Sequence, residues 1–225
     1  MNKKIVYSAF MVLLVLIAGC GKDNYDEPES VLTGHVVYQG QALQVRGTDE
    51  QVRLQFYQDG YAKHDPIDVF ITQDGSFTAK LFDGTYKAVT KDGNGPWVNS
   101  RDTTVIEVHG NTTHDFEVTP FFTIADATIS LNETVMDASF TINQVVESAT
   151  IGRVFLLLNT TSFVDEGYSA AKKEITEDLK VGKVNFSLDF SDNEKVKNAS
   201  ALFGRVCVQA NGADQGIYSP VVRLR

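Results

Sequence analysis

The sequence predicts an all-β protein built as two β-sandwich domains in tandem, and three observations carry that expectation. From Val31 onward the hydrophobic residues recur mostly with a period of two, the alternation a half-buried strand requires. Turn pairs punctuate these runs at short intervals: Gln39-Gly40, Asp59-Gly60, Asp74-Gly75, Asp83-Gly84 and Asp92-Gly93-Asn94-Gly95. Asp-Gly and Asn-Gly tolerate the positive φ of tight hairpins. No sustained 3.6-residue pattern competes, so short strands at regular spacing point to sandwiches or barrels.

The elements follow in order. Val52, Leu54 and Phe56 alternate with Arg53, Gln55 and Tyr57, and Val69 and Ile71 with Phe70 and Thr72. Phe77, Ala79 and Leu81 alternate with Ser76, Thr78 and Lys80; Val105 to Val108 and Phe116 to Val118 complete a first unit over residues 31–118. Thr119-Pro120 marks a boundary, because proline cannot donate to a ladder. The second unit, 119–225, opens with strands at Ala127 to Leu131 and Ala138 to Ile142. Gly152 to Leu158 is a continuous apolar run, as in a strand covered on both faces. Val184, Phe186, Leu188 and Phe190 alternate strictly, and Leu202 to Leu224 reads as a closing hairpin around Ala210-Asn211-Gly212. Residues 165–180 are the least patterned and are read as a loop plus one short strand.

Some of these segments carry resemblances. Leu32-Thr33-Gly34-His35-Val36-Val37, Gln73-Asp74-Gly75-Ser76-Phe77 and Leu81-Phe82-Asp83-Gly84-Thr85-Tyr86 occur in the order and at the separation of a carboxypeptidase-regulatory-like (transthyretin-like) sandwich. The last two strands, with Tyr218-Ser219-Pro220 leading into the final one, resemble the close of fibronectin type III and immunoglobulin-like domains. The resemblance implies non-catalytic modules.

The N-terminus reads as an address. Lys3 and Lys4, the apolar run Ile5 to Ile17 and the small residues Ala18-Gly19 describe a signal peptide over residues 1–19; an uncleaved anchor is the alternative, disfavoured by the short run. Leu16-Ile17-Ala18-Gly19-Cys20 resembles a bacterial lipobox, which implies cleavage before Cys20 and acylation of its sulfur. At ~0.8 kcal/mol per buried CH₂, two or three acyl chains would hold the chain on a membrane. Residues 20–30 then form a flexible tether, whose polar, acidic stretch Gly21-Lys22-Asp23-Asn24-Tyr25-Asp26-Glu27 resembles the export signals of Bacteroidetes surface lipoproteins. The expected localisation is the outer membrane, facing the cell exterior, with the periplasmic face as alternative.

The whole chain carries a net charge of −9; without residues 1–19 it carries 18 basic and 29 acidic residues, a net of −11. Such a balance argues against nucleic acid as partner. With Cys20 acylated, Cys207 stands alone in an apolar strand and reads as a buried hydrophobe. His35, His64, His109 and His114 form no metal-binding spacing, although His109 and His114 could face each other across a turn. No nucleophile elbow, P-loop or dinucleotide fingerprint is present, so no catalytic residue, cofactor or metal is expected.

Trp97, the single tryptophan, carries the binding expectation. It sits in Asn94-Gly95-Pro96-Trp97-Val98-Asn99, where an exposed ring could stack on sugar C–H groups while Asn94 and Asn99 meet hydroxyls. The alternative is that Trp97 folds back and caps the first sandwich, since large aromatics are usually buried. Tyr57, Tyr61 and Phe70 are further aromatic candidates. Asp102-Thr103-Thr104 resembles an O-glycosylation signal of Bacteroidetes secreted proteins, with Thr103 as acceptor.

Taken whole, lipobox, transthyretin-like sandwich and immunoglobulin-like sandwich resemble an uncharacterised two-domain lipoprotein family of Bacteroidetes found in polysaccharide-utilisation neighbourhoods beside outer-membrane transporters. The resemblance implies a surface lipoprotein accompanying glycan or nutrient capture, and the expected role is a non-enzymatic accessory of nutrient uptake, glycan-binding or scaffolding, with glycan as the leading ligand class. The alternatives are a structural module docking to a transporter component and, third, a small glycan hydrolase.

Overall fold

The computed structural model describes residues 26–60 and 64–225. The expected signal peptide, Cys20 and Tyr61 lie outside them.

Among the described residues the first domain holds nine strands: β1 (Ser30–Tyr38), β2 (Gln41–Ala42), β3 (Arg53–Gln58), β4 (Ile67–Phe70), β5 (Ser76–Leu81), β6 (Gly84–Thr90), β7 (Thr104–Val108), β8 (Asn111–Thr113) and β9 (Phe116–Glu117). They form two sheets. One runs β2-β1-β5, with β8 and β9 lying parallel along β1; the other runs β4-β3-β6-β7. The alternation read from the sequence sets the faces. Leu54, Phe56, Phe77, Leu81, Ile106 and Val108 point inward and are buried, and Phe56 meets Phe77 edge to face. Val105 faces the other way and is 57% exposed.

Gly34 shows why this packing needs a glycine on β1. A Cβ there would lie 1.9 Å from the His114 carbonyl oxygen and 2.9 Å from Phe77 Cζ. The missing side chain lets the 111–117 segment run against β1, with His114 N–H donating to the Thr33 carbonyl.

The second domain adds β10 (Phe122–Asn132), β11 (Val135–Gln144), β12 (Ile151–Asn159), β13 (Ala171–Ile175), β14 (Gly182–Asp189), β15 (Phe203–Ala210), β16 (Ile217–Tyr218) and β17 (Val222–Arg223), with one turn of helix, α1 (Glu194–Lys197). Asn193 caps α1 by accepting the Val196 N–H. One sheet is β10-β11-β14; the other is β13-β12-β15-β16, with β17 also on β15. The weakly patterned 165–180 segment is a loop followed by the short strand β13, and residues 202–224 close the domain as antiparallel pairs on β15.

The apolar run on β12 is covered on both faces. Val154, Leu156 and Leu158 enter the sandwich core, while Phe155 and Leu157 join Val164, Cys207 and Tyr218 in a second, smaller cluster on the outer face of the sheet. That outer cluster is roofed by the 160–170 loop, which explains a continuous rather than alternating hydrophobic run. The main apolar cluster is continuous from one domain into the other, from Leu32 to Ile217.

Candidate functional site

Trp97 is 2% exposed. The exposed platform expected for it is therefore not formed, and the reason is the linker between the domains. Trp97 bridges to Pro120, Val98 N–H donates to the Thr119 carbonyl, and Phe121 N–H donates to the Pro96 carbonyl. Segment 96–98 thus pairs with linker 119–121 as a strand would, and the indole folds over Gly95, whose position admits no Cβ beside it. Burial against the linker removes the ring from water, at ~1.5–3 kcal/mol for a large apolar side chain.

The two amides expected to flank it build the turn. Asn94, 8% exposed, accepts the Arg53 N–H at 2.9 Å and donates to the Gln51 carbonyl; Asn99 accepts the Gly93 N–H at 2.9 Å. Asn94 and Trp97 are held inside, so the three do not assemble into a sugar-facing set. Thr103 is exposed in the segment before β7. Phe70 lies under the Arg53 guanidinium, and Tyr57 lines a groove with Lys91 and Arg101. His109 and His35 pair with Asp83 and Asp115 on the surface. No cluster of three or more metal-ligating side chains occurs among the described residues.

The chemistry the sequence did not advertise sits at the domain junction. Arg205, on β15, is fully buried and donates to three carbonyls: Ser219 at 2.7 Å, Val164 at 3.2 Å and, across the junction, Gln73 at 2.7 Å. Its guanidinium stacks on the Tyr218 ring, 4.5 Å from the centroid. Burial is the main cause that lowers its pKa to about 10. Burial likewise holds the Cys207 thiol and the Tyr218 phenol above their ordinary ranges, so Cys207 carries no thiolate.

Asp165 is the second anchor, also wholly buried. It accepts the N–H and hydroxyl of Thr48 from the first domain, and the N–H groups of Gly167 and Tyr168 from its own loop. Arg46 reaches Glu166 at 3.3 Å, and Gln73 donates to the Ser162 carbonyl. A carboxylate with four donors and a guanidinium with three acceptors are both satisfied, so the junction is held by directional bonds that fix one domain orientation.

Beside this lock the domains enclose a recess of about 430 Å³. The β1–β2 hairpin forms one wall with Tyr38, Gln39, Gln41 and Gln44; Ile124 and Pro220 belong to the other. None of the described lining residues is charged, in a chain with 20 basic and 29 acidic residues. A larger recess of about 540 Å³ under the 98–104 segment differs, being lined by Arg101, Asp102 and Glu117. The recess walls are fixed: Tyr218 N–H donates to the Gln44 carbonyl, and Gln44 donates to the Asp74 carbonyl. The run Val36 to Val45, ten residues without a charge and holding three glutamines, is the sequence signal that this recess carries.

Comparison with known proteins places this architecture. Residues 30–119 match the model described as "Protein of unknown function (DUF3823) N-terminal domain", and residues 122–223 match "Domain of unknown function (DUF3823_C)". A DUF3823 family protein from Parabacteroides merdae is 52% identical, covering 89% of this chain and all of its own, with a TM-score of 0.86. One from Bacteroides ovatus is 34% identical over 87% of this chain and 98% of its own, with a TM-score of 0.79. A candidate carbohydrate-binding protein from Bacteroides uniformis shares the fold at 18% identity, over 88% and 99% of the two chains, with a TM-score of 0.73. Nothing matches among curated proteins. With both halves matched in order, the chain belongs to the DUF3823 family.

Proposed function

We propose that this protein is a non-catalytic accessory of glycan uptake, held on the outer membrane through an acylated Cys20 and binding carbohydrate in solution near the cell surface. The single observation that supports this best is the welded junction. Two sandwiches joined by Arg205 and Asp165 hold the walls of the recess between them in place, which suits recognition, because preorganised walls lose little entropy on binding. The description of the B. uniformis structure as a candidate carbohydrate-binding protein points the same way. Anchoring would raise the local concentration of the module beside a transporter.

Three experiments test the reading. The full chain, in a non-glycosidic detergent, is run through native gels containing polysaccharides; retardation by at least one is expected, and none by any would refute glycan binding. Intact cells are labelled with a membrane-impermeant reagent, and protection of the protein would move it to the periplasmic face. Globomycin-sensitive processing and loss of acylation in Cys20→Ala test the anchor.

A further inference from the structure

We propose that the junction recess binds an uncharged saccharide chain, with Tyr38 as the stacking face and the side-chain amides of Gln39, Gln41 and Gln44 meeting its hydroxyls. The inference rests on the carbohydrate-binding reading above and deepens it by naming site and ligand class.

Four observations converge. The first is composition. An amide both donates and accepts, as a hydroxyl does, so a set of glutamines satisfies a polyol whichever way its protons point. Gln41 is exposed and its amide makes no hydrogen bond among the described residues, leaving it open to a ligand.

The second is charge. A carboxylated or sulfated glycan entering this recess would shed water without gaining a cation, because the lining offers none. It would also approach Glu117, whose carboxylate accepts the Gln39 N–H at 2.7 Å at the edge of the site. The repulsion works against the wrong class, which is how discrimination between similar polymers is obtained.

The third is backbone strain. Tyr38 pairs with Gln41, leaving Gln39 and Gly40 as a two-residue turn with φ of 51° and 73°. Such turns favour Asn-Gly, and a longer side chain at the first position is held against its preference. Strain of this sort is kept where a side chain is needed. Gln39 uses its amide to donate to the Tyr38 hydroxyl at 3.2 Å, which orients the half-buried ring.

The fourth is rigidity. The hairpin wall is tied to β16 through Gln44 and Tyr218, and β16 in turn lies against Arg205. Neither domain alone makes the site.

The test is native affinity electrophoresis of the full chain against neutral polysaccharides (mixed-linkage β-glucan, galactomannan, dextran) and anionic ones (polygalacturonate, heparin). Retention by at least one neutral polymer, unchanged as salt is raised, and none by the anionic ones is expected. Tyr38→Ala should weaken the retained interaction about tenfold, while Tyr38→Phe, which keeps the ring, should weaken it less than about threefold. Gln41→Ala, on an exposed two-residue strand, guards against a folding artefact and should also weaken it. Gln41→Lys should admit polygalacturonate. Preferential retention by anionic polymers, or neutral retention untouched in both Tyr38→Ala and Gln41→Ala, overturns this site and class while leaving glycan binding standing. Retention by no polymer of either class overturns both.

Discussion

Replacing Arg205 by methionine, which keeps much of the volume and removes the charge, tests whether the junction is held as described. Three charge-assisted hydrogen bonds are lost, at 2.7, 3.2 and 2.7 Å. At ~1.5–3 kcal/mol each, the gross loss is about 4–9 kcal/mol. Against this stands relief of burial: the guanidinium pKa falls from 12.5 to about 10 in the fold, roughly 3 kcal/mol at ~1.4 kcal/mol per unit. The midpoint of the first less the second leaves about 3 kcal/mol of destabilisation, a sizeable part of a usual ~5–15 kcal/mol total. For a chain of this size that is a fall in Tm of about 6–12 °C. The assay is equilibrium urea unfolding followed both by Trp97 fluorescence and by far-UV circular dichroism. Trp97 is the only tryptophan and lies against the interdomain linker, so its emission reports the junction. In the wild type the two probes should coincide, because one apolar cluster runs through both domains. In Arg205→Met the transition should move to lower urea and the probes should separate. A loss below about 1 kcal/mol with coincident probes would refute the assignment of Arg205 as the keystone.

Four further outcomes are expected. Gly34→Ala puts a methyl 1.9 Å from the His114 carbonyl oxygen and should cost at least ~3 kcal/mol or prevent folding, whereas Gly40→Ala, with open space around it but φ of 73°, should cost about 1 kcal/mol; thermal melts separate the two. Cys207 should resist a thiol reagent in the native state and react on unfolding. Because burial raises its folded pKa above the ordinary 9.0, its stabilising contribution is whole below pH 9 and declines as pH rises past it, and Cys207→Ala should flatten the stability profile between pH 9 and 10. Asp74 is held below the ordinary 3.8, chiefly by the Thr72 hydroxyl and also by Ser76; its contribution is present above that pH and is lost as pH falls through it, so Asp74→Asn should lower neutral stability by about 1 kcal/mol and shallow the acid limb of a pH–Tm curve. Gln39→Asn, better suited to φ of 51°, should raise stability by about 0.5–1 kcal/mol while weakening any retention by neutral glycans.

Features settled between neighbouring residues were legible from the chain alone. Alternation at 52–56, 77–81 and 184–190 fixed which faces are buried, because strand side chains point to opposite sides in turn. Asp74-Gly75 and Asn211-Gly212 placed turns because their backbones accept positive φ there. The continuous run on β12 announced a strand covered twice, and the loop-plus-strand reading of 165–180 matched the observed loop and β13.

The fate of Trp97 and the chemistry of the junction depended on how the folded domains pack. Whether a loop tryptophan faces water depends on what packs against it, and linker 119–121 is separated from it by more than twenty residues. Arg205 interrupts an otherwise apolar strand, and it is the interdomain anchor because its acceptor on Gln73 lies 132 residues away. Asp165 and Thr48 are 117 apart. Periodicity reports the average environment of a segment. The pairing of one polar atom with another across two separately patterned domains is set by how the finished sandwiches meet, and at this junction that meeting buried a cation and an anion and left an uncharged recess beside them.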